Sequence, residues 1–426
     1  MRFIALDVHR DFCEVAICED GKIRSHPRIL TNVKQLEIFA QSLGADDHVC
    51  LEVTGNALAI ARIFEPHVER VVLANAKAVK AISSAKIKTD KMDARTLVKL
   101  LAAGFLPEVW IGDEKTRVLR RLISRRAQLV KQRTQAKNEI HGVLQRNLRG
   151  RPPVSDLFGK KGRKWLADQE LPSDERQTVA ACLRQVDFLD GEVELVDREL
   201  AAHALLSVDM RRLMTIPGVS VTTAAAFMAA IGDIGRFPTP RHLVGYLGLD
   251  PKVRQSGSAP ARHGGISKQG SKEARHMLVE AAWGAARTAG PLKAFGERVR
   301  ARRGANIATV AVARKLAVLC WHLLVRDEDY AFARPSLSRE KVRRLELRVG
   351  AKRRRGRPHE VPVFVSQEQH RREREIAAQA ETAYRRLVKD WIATPKRGTG
   401  AATGARIFKS AEATTARQES APGPAL

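Results

Sequence analysis

Apolar positions recur with two different periods along the chain, and the switch between them divides it into blocks. Over residues 1–105, short apolar runs alternate with amphipathic stretches. RFIALDV and FCEVAICEDGK form a hairpin-like pair of strands, and a polar helix falls near 33–43. HVCLEVTG, NALAIARIFEP and RVVLANA then follow as strand, helix and strand. This alternation predicts an α/β layer domain.

In block 106–205 the period changes. From about residue 113 the chain reads as long charged helices with spaced leucines, TRVLRRLISRRAQLVKQRTQAKNEIHGVLQRNL and RQVDFLDGEVELVDRELAAH, interrupted by RGRPP at 149–153. An antiparallel helical pair or coiled-coil arm fits this pattern, and such an arm usually serves dimerisation. The first helix carries Arg117, Arg120, Arg121, Arg125, Arg126, Lys131, Arg133 and Lys137. That basic face could track a phosphate backbone or simply be solvated.

Block 206–326 is mainly helical. It opens with LMTIPGVSVTTAAAFMAAIGDIGRF, where an Ile-Pro-Gly-Val turn between helical segments resembles a helix-hairpin-helix. A Gly- and Ser-rich loop follows within LVGYLGLDPKVRQSGSAPARHGGISKQGSKEARHMLVEAAW, and then IATVAVARKLAVLCWHLLV, apolar almost all round and expected to be buried. Residues 327–426 turn polar and basic and are expected to be a largely disordered tail. RGRP within AKRRRGRPHE (351–360) resembles an AT-hook, which lays arginines along a narrow minor groove.

Composition sharpens the class. The 426 residues are 44% hydrophobic, enough for real cores, and carry 75 Lys and Arg against 47 Asp and Glu, a formal charge of +28. That excess calls for a polyanionic partner. A membrane surface is the competing explanation, but no apolar run is read as approaching the ~20 residues of a spanning helix. The start, MRFIALDVHRDF, does not fit a signal peptide, because Asp7 breaks its apolar run. A cytoplasmic, nucleoid-associated protein is the expectation. Cys13, Cys18, Cys50, Cys182 and Cys320 lack metal-ligand spacing and are expected to be reduced core residues.

Against this basic background four acids stand out. Asp7 lies inside the first apolar strand, and Glu52 near the carboxyl end of HVCLEVTG, just before a Thr-Gly turn. An ionised group in a buried strand is costly unless something pairs it. Asp90 and Asp93 sit in TDKMDAR behind a capping Thr89, where the helix dipole favours acids by roughly 0.3–1 kcal/mol each. Capping alone does not explain their direction: the stripe of Asp90 and Asp93 continues through Leu97 to Leu101, so both carboxylates point toward the core. Four acids from two strands and one helix could converge on one or two divalent cations for attack at phosphorus.

This order of acids resembles the RNase H-like nucleases of the RuvC type. TDKMDARTLVKLL, with LEVTGN before it and YLGLDP, QSG and GGISKQG after it, resembles the insertion sequence 110 family (110/1111 group) of bacterial transposases over residues 1–326. The resemblance implies a RuvC-like DEDD domain, a coiled coil and a transposase domain with an essential serine. The tetrad then falls on Asp7, Glu52, Asp90 and Asp93, binding Mg²⁺ or Mn²⁺, and the serine on Ser256, with Ser258 its nearest rival. It further implies a phosphoserine link to DNA, assistance from the acidic site of a partner subunit, a homo-oligomer (dimer or tetramer) and a structured non-coding guide RNA.

The residues themselves support part of this. Lys252, Arg254, Arg262 and His263 surround Ser256 with cations in a flexible loop, although loop serines are mostly turn formers. Ser267, Lys268 and Gly270 then read as phosphate contacts, with Arg275 on the next helix as a further nucleic-acid residue that supports them. Two rival readings are a metal-dependent nuclease or junction resolvase with an incidental serine, and a non-catalytic nucleic-acid-binding protein.

Overall fold

Strand β1 (Phe3–Val8) is the centre of a five-stranded mixed sheet. It pairs antiparallel with β2 (Phe12–Glu19), which pairs antiparallel with β3 (Lys22–Leu30). On its other side it runs parallel to β4 (His48–Glu52), and β4 to β5 (Arg70–Ala74), giving the order β3-β2-β1-β4-β5. This computed structural model describes residues 1–82, 89–352 and 367–393, in two compact units, Met1–Asp113 and Glu114–Leu426. The RGRP segment and the lysines at 86 and 88 lie outside the described residues.

Alternation along the strands decides what covers the first sheet. Ile4, Leu6, Val49 and Leu51 face one side, where they pack with Leu36 and Phe39 of α1 (Val33–Gln41) and Ile60 and Phe64 of α2 (Ala57–Phe64). Ala5, Ala16, Cys50 and Val72 face the other, against Val79 of α3 (Ala76–Ile82) and Ala94, Leu97, Val98 and Leu101 of α4 (Asp90–Ala102). Small strand residues there let α4 approach closely. The α/β reading of the pattern agrees with this mixed sheet, but it missed β3. Strand KIRSHPRIL is polar, contains Pro27 and lies at the sheet edge, where proline is tolerated because one side of the strand has no ladder to complete.

In the second unit α5 (Glu114–Arg146) and α7 (Ser173–Leu206) run antiparallel, with α6 (Lys160–Ala167) between them in sequence. Ion pairs cross from one to the other in reverse order: Arg126 to Asp197 at 2.5 Å, Arg133 to Asp190 at 2.5 Å, and Arg146 to Glu175. Arg117 and Arg121 are held by Glu114, Arg125 meets Glu192, and Arg120 donates to the Ala229 carbonyl at 2.8 Å. The basic face expected to track phosphates is therefore largely engaged within the chain.

The core of this unit joins Leu200 and Ala204 to Leu213 of α8 (Val208–Met214), Phe227 of α9 (Val221–Ile231) and Leu243 of α10 (Pro240–Tyr246). A two-stranded hairpin, β6 (Pro251–Arg254) and β7 (Arg262–Ile266), interrupts the helices. After it come α11 (Lys272–Arg287), α12 (Pro291–Arg303) and α13 (Ala305–Arg326). Contrary to the sequence reading, α13 is long and apolar enough to cross a membrane. Here Val312, Ala313, Leu316 and Ala317 are buried in the helical core, as expected of it. All five cysteines are buried and unpaired.

The expectation of a largely disordered tail is corrected where the tail is described. Residues beyond 327 form α14 (Pro335–Arg348) and α15 (Gln367–Ala393). Buried Glu373 of α15 accepts from the Ser336 backbone N–H at 3.1 Å and from its hydroxyl, while Glu381 accepts from Gly290 N–H at 3.2 Å at the start of α12. Each acid satisfies N–H groups that a helix start leaves without internal partners. From α14, Lys341 reaches the Ile-Pro-Gly-Val turn and donates to the carbonyls of Met214 (2.6 Å), Ile216 (3.1 Å) and Val219 (2.9 Å). The composition of the tail hid these contacts, because they are made by charged side chains rather than by an apolar stripe.

Candidate functional site

Asp7 shares the face of Ala5, and Glu52 that of Cys50, so both acids point to the side covered by α4. The parallel register ends at Leu6↔Leu51, so Asp7 and Glu52 each follow the last paired residue at the carboxyl ends of their strands. Asp90 and Asp93 occupy the first turn of α4, whose Thr89 hydroxyl accepts from Met92 N–H at 3.3 Å. Burial pushes the Asp7 carboxyl up from its ordinary value; His9 opposes the rise, and Asp93 and Asp90 add to it. The charge of Glu52 adds to the rise that burial imposes on the Cys50 thiol. Like charges held this close favour a cation among them.

Sequence reasoning overlooked two members of this neighbourhood. His9 Nε2 lies 3.1 Å from Asp7 Oδ2 and 3.4 Å from Asp90 Oδ2, and the three donor atoms fall within 4.8 Å of one another. Glu14 lies opposite Asp7 in the β1–β2 register, is 2% exposed, and pairs with Arg28. Period-two alternation was the available signal: His9 follows Asp7 by two residues, and Glu14 shares the parity of Ala16 and Cys18. Carboxylate oxygens with one imidazole nitrogen are a donor set that suits a divalent cation.

In the second unit, Ser256 is exposed on the loop between β6 and β7, and its carbonyl accepts from Ala259 N–H in a turn at 3.3 Å. Gly257, next in sequence, takes φ +56°, a left-handed conformation that favours glycine. Ser258 lies on the same exposed turn. Arg254 pairs directly with Arg262 across the hairpin, and Lys252 is exposed on the same strand. Like charges opposite each other destabilise a strand pair, and neither arginine has a carboxylate partner among the described residues. An anion would relieve that repulsion.

The base of the hairpin is braced from below. Ser267, expected at a phosphate, instead donates its hydroxyl to Asp250 at 2.6 Å. Arg275 donates to the carbonyls of Leu247 (3.1 Å), Gln269 and Gly270 (3.2 Å), which places it as the support of the loop. Lys268 remains exposed with φ +58°, an uncommon conformation for a residue with a side chain. At Gly270 a Cβ would come within 1.9 Å of the Tyr246 carbonyl oxygen, so the two segments cross with no room for a side chain.

Acids near the carboxyl edge of a mixed sheet and a cation-bearing hairpin suit chemistry on a polyanion, and two family models make the class a DNA transposase. Residues 4–147 match the DEDD transposase model of the IS110 type, and residues 210–297 match that of the IS116/IS110/IS902 transposase family. Together the matches span more than half of the chain, which belongs to the IS110 family of transposases.

A putative transposase of Sinorhizobium fredii is 27% identical over 66% of this chain and 71% of its own length. The transposase for insertion sequence element IS1111A of Coxiella burnetii is 28% identical over 78% and 91%. A pilin gene-inverting protein of Moraxella bovis is 27% identical over 54% and 65%. The DEDD domain implies use of a divalent metal, and the donors at Asp7, His9 and Asp90 fit one.

Proposed function

We propose that this chain cuts and rejoins DNA at the ends of an insertion sequence, with Ser256 as nucleophile and the Asp7, Glu52, Asp90 and Asp93 carboxylates as the metal-binding tetrad. The closeness of Asp7, at the end of β1, to Asp90, in the first turn of α4, supports the reading. Ser256 Oγ attacks a backbone phosphorus, the Oγ–P bond forms, and the deoxyribose oxygen leaves and takes up a proton. The strand end is held as a phosphoserine ester. Attack by the hydroxyl of another strand breaks the Oγ–P bond and returns the serine, so the backbone is rejoined without an external energy source.

The Arg254 and Arg262 guanidiniums and the Lys252 and Lys268 ammoniums hold the phosphates beside the serine, and Arg275 keeps their loop in place. A divalent cation, Mg²⁺ or Mn²⁺, would supply stabilisation of the charge that grows on phosphate oxygens. Block 1–105 then carries the acidic site, 106–205 the self-association of a dimer or tetramer, and 206–326 the serine. A structured guide RNA selects the target. The name of the Moraxella bovis relative, a gene-inverting protein, supports recombination over simple cleavage.

Suicide DNA that traps a covalent end is the test. Wild type is expected to become attached to DNA and Ser256→Ala is not, whereas an adduct on Ser256→Ala would move the nucleophile to Ser258 or elsewhere. Divalent-dependent cutting without any adduct would favour the nuclease reading.

A further inference from the structure

We propose that His9 is a nitrogen ligand of the cation bound at the acidic site, and that it makes the site prefer a first-row transition ion over Mg²⁺. This rests on reading Asp7, Glu52, Asp90 and Asp93 as metal-binding. A cation with bonds of roughly 2.0–2.1 Å places neighbouring donors about 3 Å apart. His9 Nε2 meets that spacing with both carboxylates, at 3.1 Å from Asp7 and 3.4 Å from Asp90.

The His9 backbone is held in place: its main-chain N–H donates to the Phe12 carbonyl at 2.9 Å, and its own carbonyl accepts from the Thr31 hydroxyl at 3.1 Å. Its ring lies 5.0 Å from the Phe12 ring, whose face carries the Arg28 guanidinium at 4.3 Å. Fixing the ring in advance lowers the entropy cost of binding. Imidazole nitrogen suits the later first-row ions such as Fe²⁺, Ni²⁺ and Zn²⁺, whereas Mg²⁺ selects oxygen donors.

The test uses the full chain with Mn²⁺ as probe. Spin-echo EPR is expected to show nitrogen coupling to Mn²⁺ in wild type and in the control His48→Gln, and to lose it in His9→Gln. Calorimetry with Zn²⁺ as second probe is expected to show His9→Gln weakening Zn²⁺ by about tenfold or more, the scale of a lost metal-supporting contact, with a much smaller change for Mg²⁺. Should His9→Gln fail to fold, His9→Gly with added free imidazole takes its place, and recovery of the coupling is expected.

Mn²⁺ bound through Asp7 without nitrogen coupling, or with coupling indifferent to His9, overturns the inference and leaves His9 as a counter-ion of the metal-free acids. Mn²⁺ binding that Asp7→Asn does not affect, or no binding at all, overturns the metal site itself.

Discussion

Arg254 sits directly opposite Arg262 across the β6–β7 hairpin, beside the exposed turn that carries Ser256. Two guanidiniums in register are unfavourable in the free protein and favourable once a phosphate lies between them. Replacing both with alanine is expected to reduce the log–log salt slope of DNA binding by about 0.9, the value for one phosphate contact. Arg133→Ala on α5 is expected to leave the slope unchanged, because Asp190 already occupies that cation. Equal losses for both variants would return the DNA to the helical arm.

Asp7→Asn removes one charge from a crowded acidic group. Without metal its melting temperature is expected to rise, since Asp90 and Asp93 lose a repulsive neighbour. With saturating Mn²⁺ the wild type is expected to gain stability and the variant little or none, because ligand stabilisation follows affinity. A melting curve with and without the cation reads both effects, and a variant that gains as much as wild type would place the cation elsewhere.

Lys341 gives the fold a pH dependence of definite sign. Burial outweighs its three carbonyl acceptors and lowers the ammonium from an ordinary 10.5 to about 8. Between those values the unfolded chain holds more protons than the folded one, so this group makes stability rise with pH. Below about pH 8 both states are protonated, and the cost of burying the charge is constant. Urea titrations at pH 8 and pH 10 are expected to show this rise in wild type and to lose it in Lys341→Met.

Glu373→Ala should release the start of α14. The Ser336 N–H and hydroxyl would lose their acceptor, at a cost of about 1–3 kcal/mol for buried polar groups left unpaired. Hydrogen exchange over 367–393 is expected to rise in the variant. Unchanged protection would mean that Glu381, on Gly290, and Arg385, paired with Glu297 of α12, suffice to hold α15 in place.

Asp7 and Glu52 stood out because charge inside an apolar strand is anomalous whatever the fold, and Asp90 and Asp93 because their stripe continues through Leu97 to Leu101. His9 did not, since it opens the β1–β2 turn and looks like one more polar residue there, and Glu14, inside β2, was passed over although it breaks an apolar strand in the same way. Only the β1–β2 register sets Glu14 opposite Asp7, and only the β1–β2 turn brings the His9 ring back over the carboxylates. Strand β3 escaped notice because an edge strand need not be apolar, and α14 and α15 because their docking depends on Lys341, Glu373 and Glu381 rather than on composition.

The sequence by itself determined the periods of the strands and helices, the inward direction of the Asp90–Asp93 stripe, and the strongly basic charge that calls for a polyanion. Those follow from local geometry and from counting charges. Tertiary structure decided which cations are free and which acids meet. It tied the arginines of α5 to carboxylates on α7, left Arg254 and Arg262 facing each other, and closed Asp7, His9 and Asp90 into one donor set. Pairing across distant segments is a property of register and packing, and no single stretch of sequence contains it.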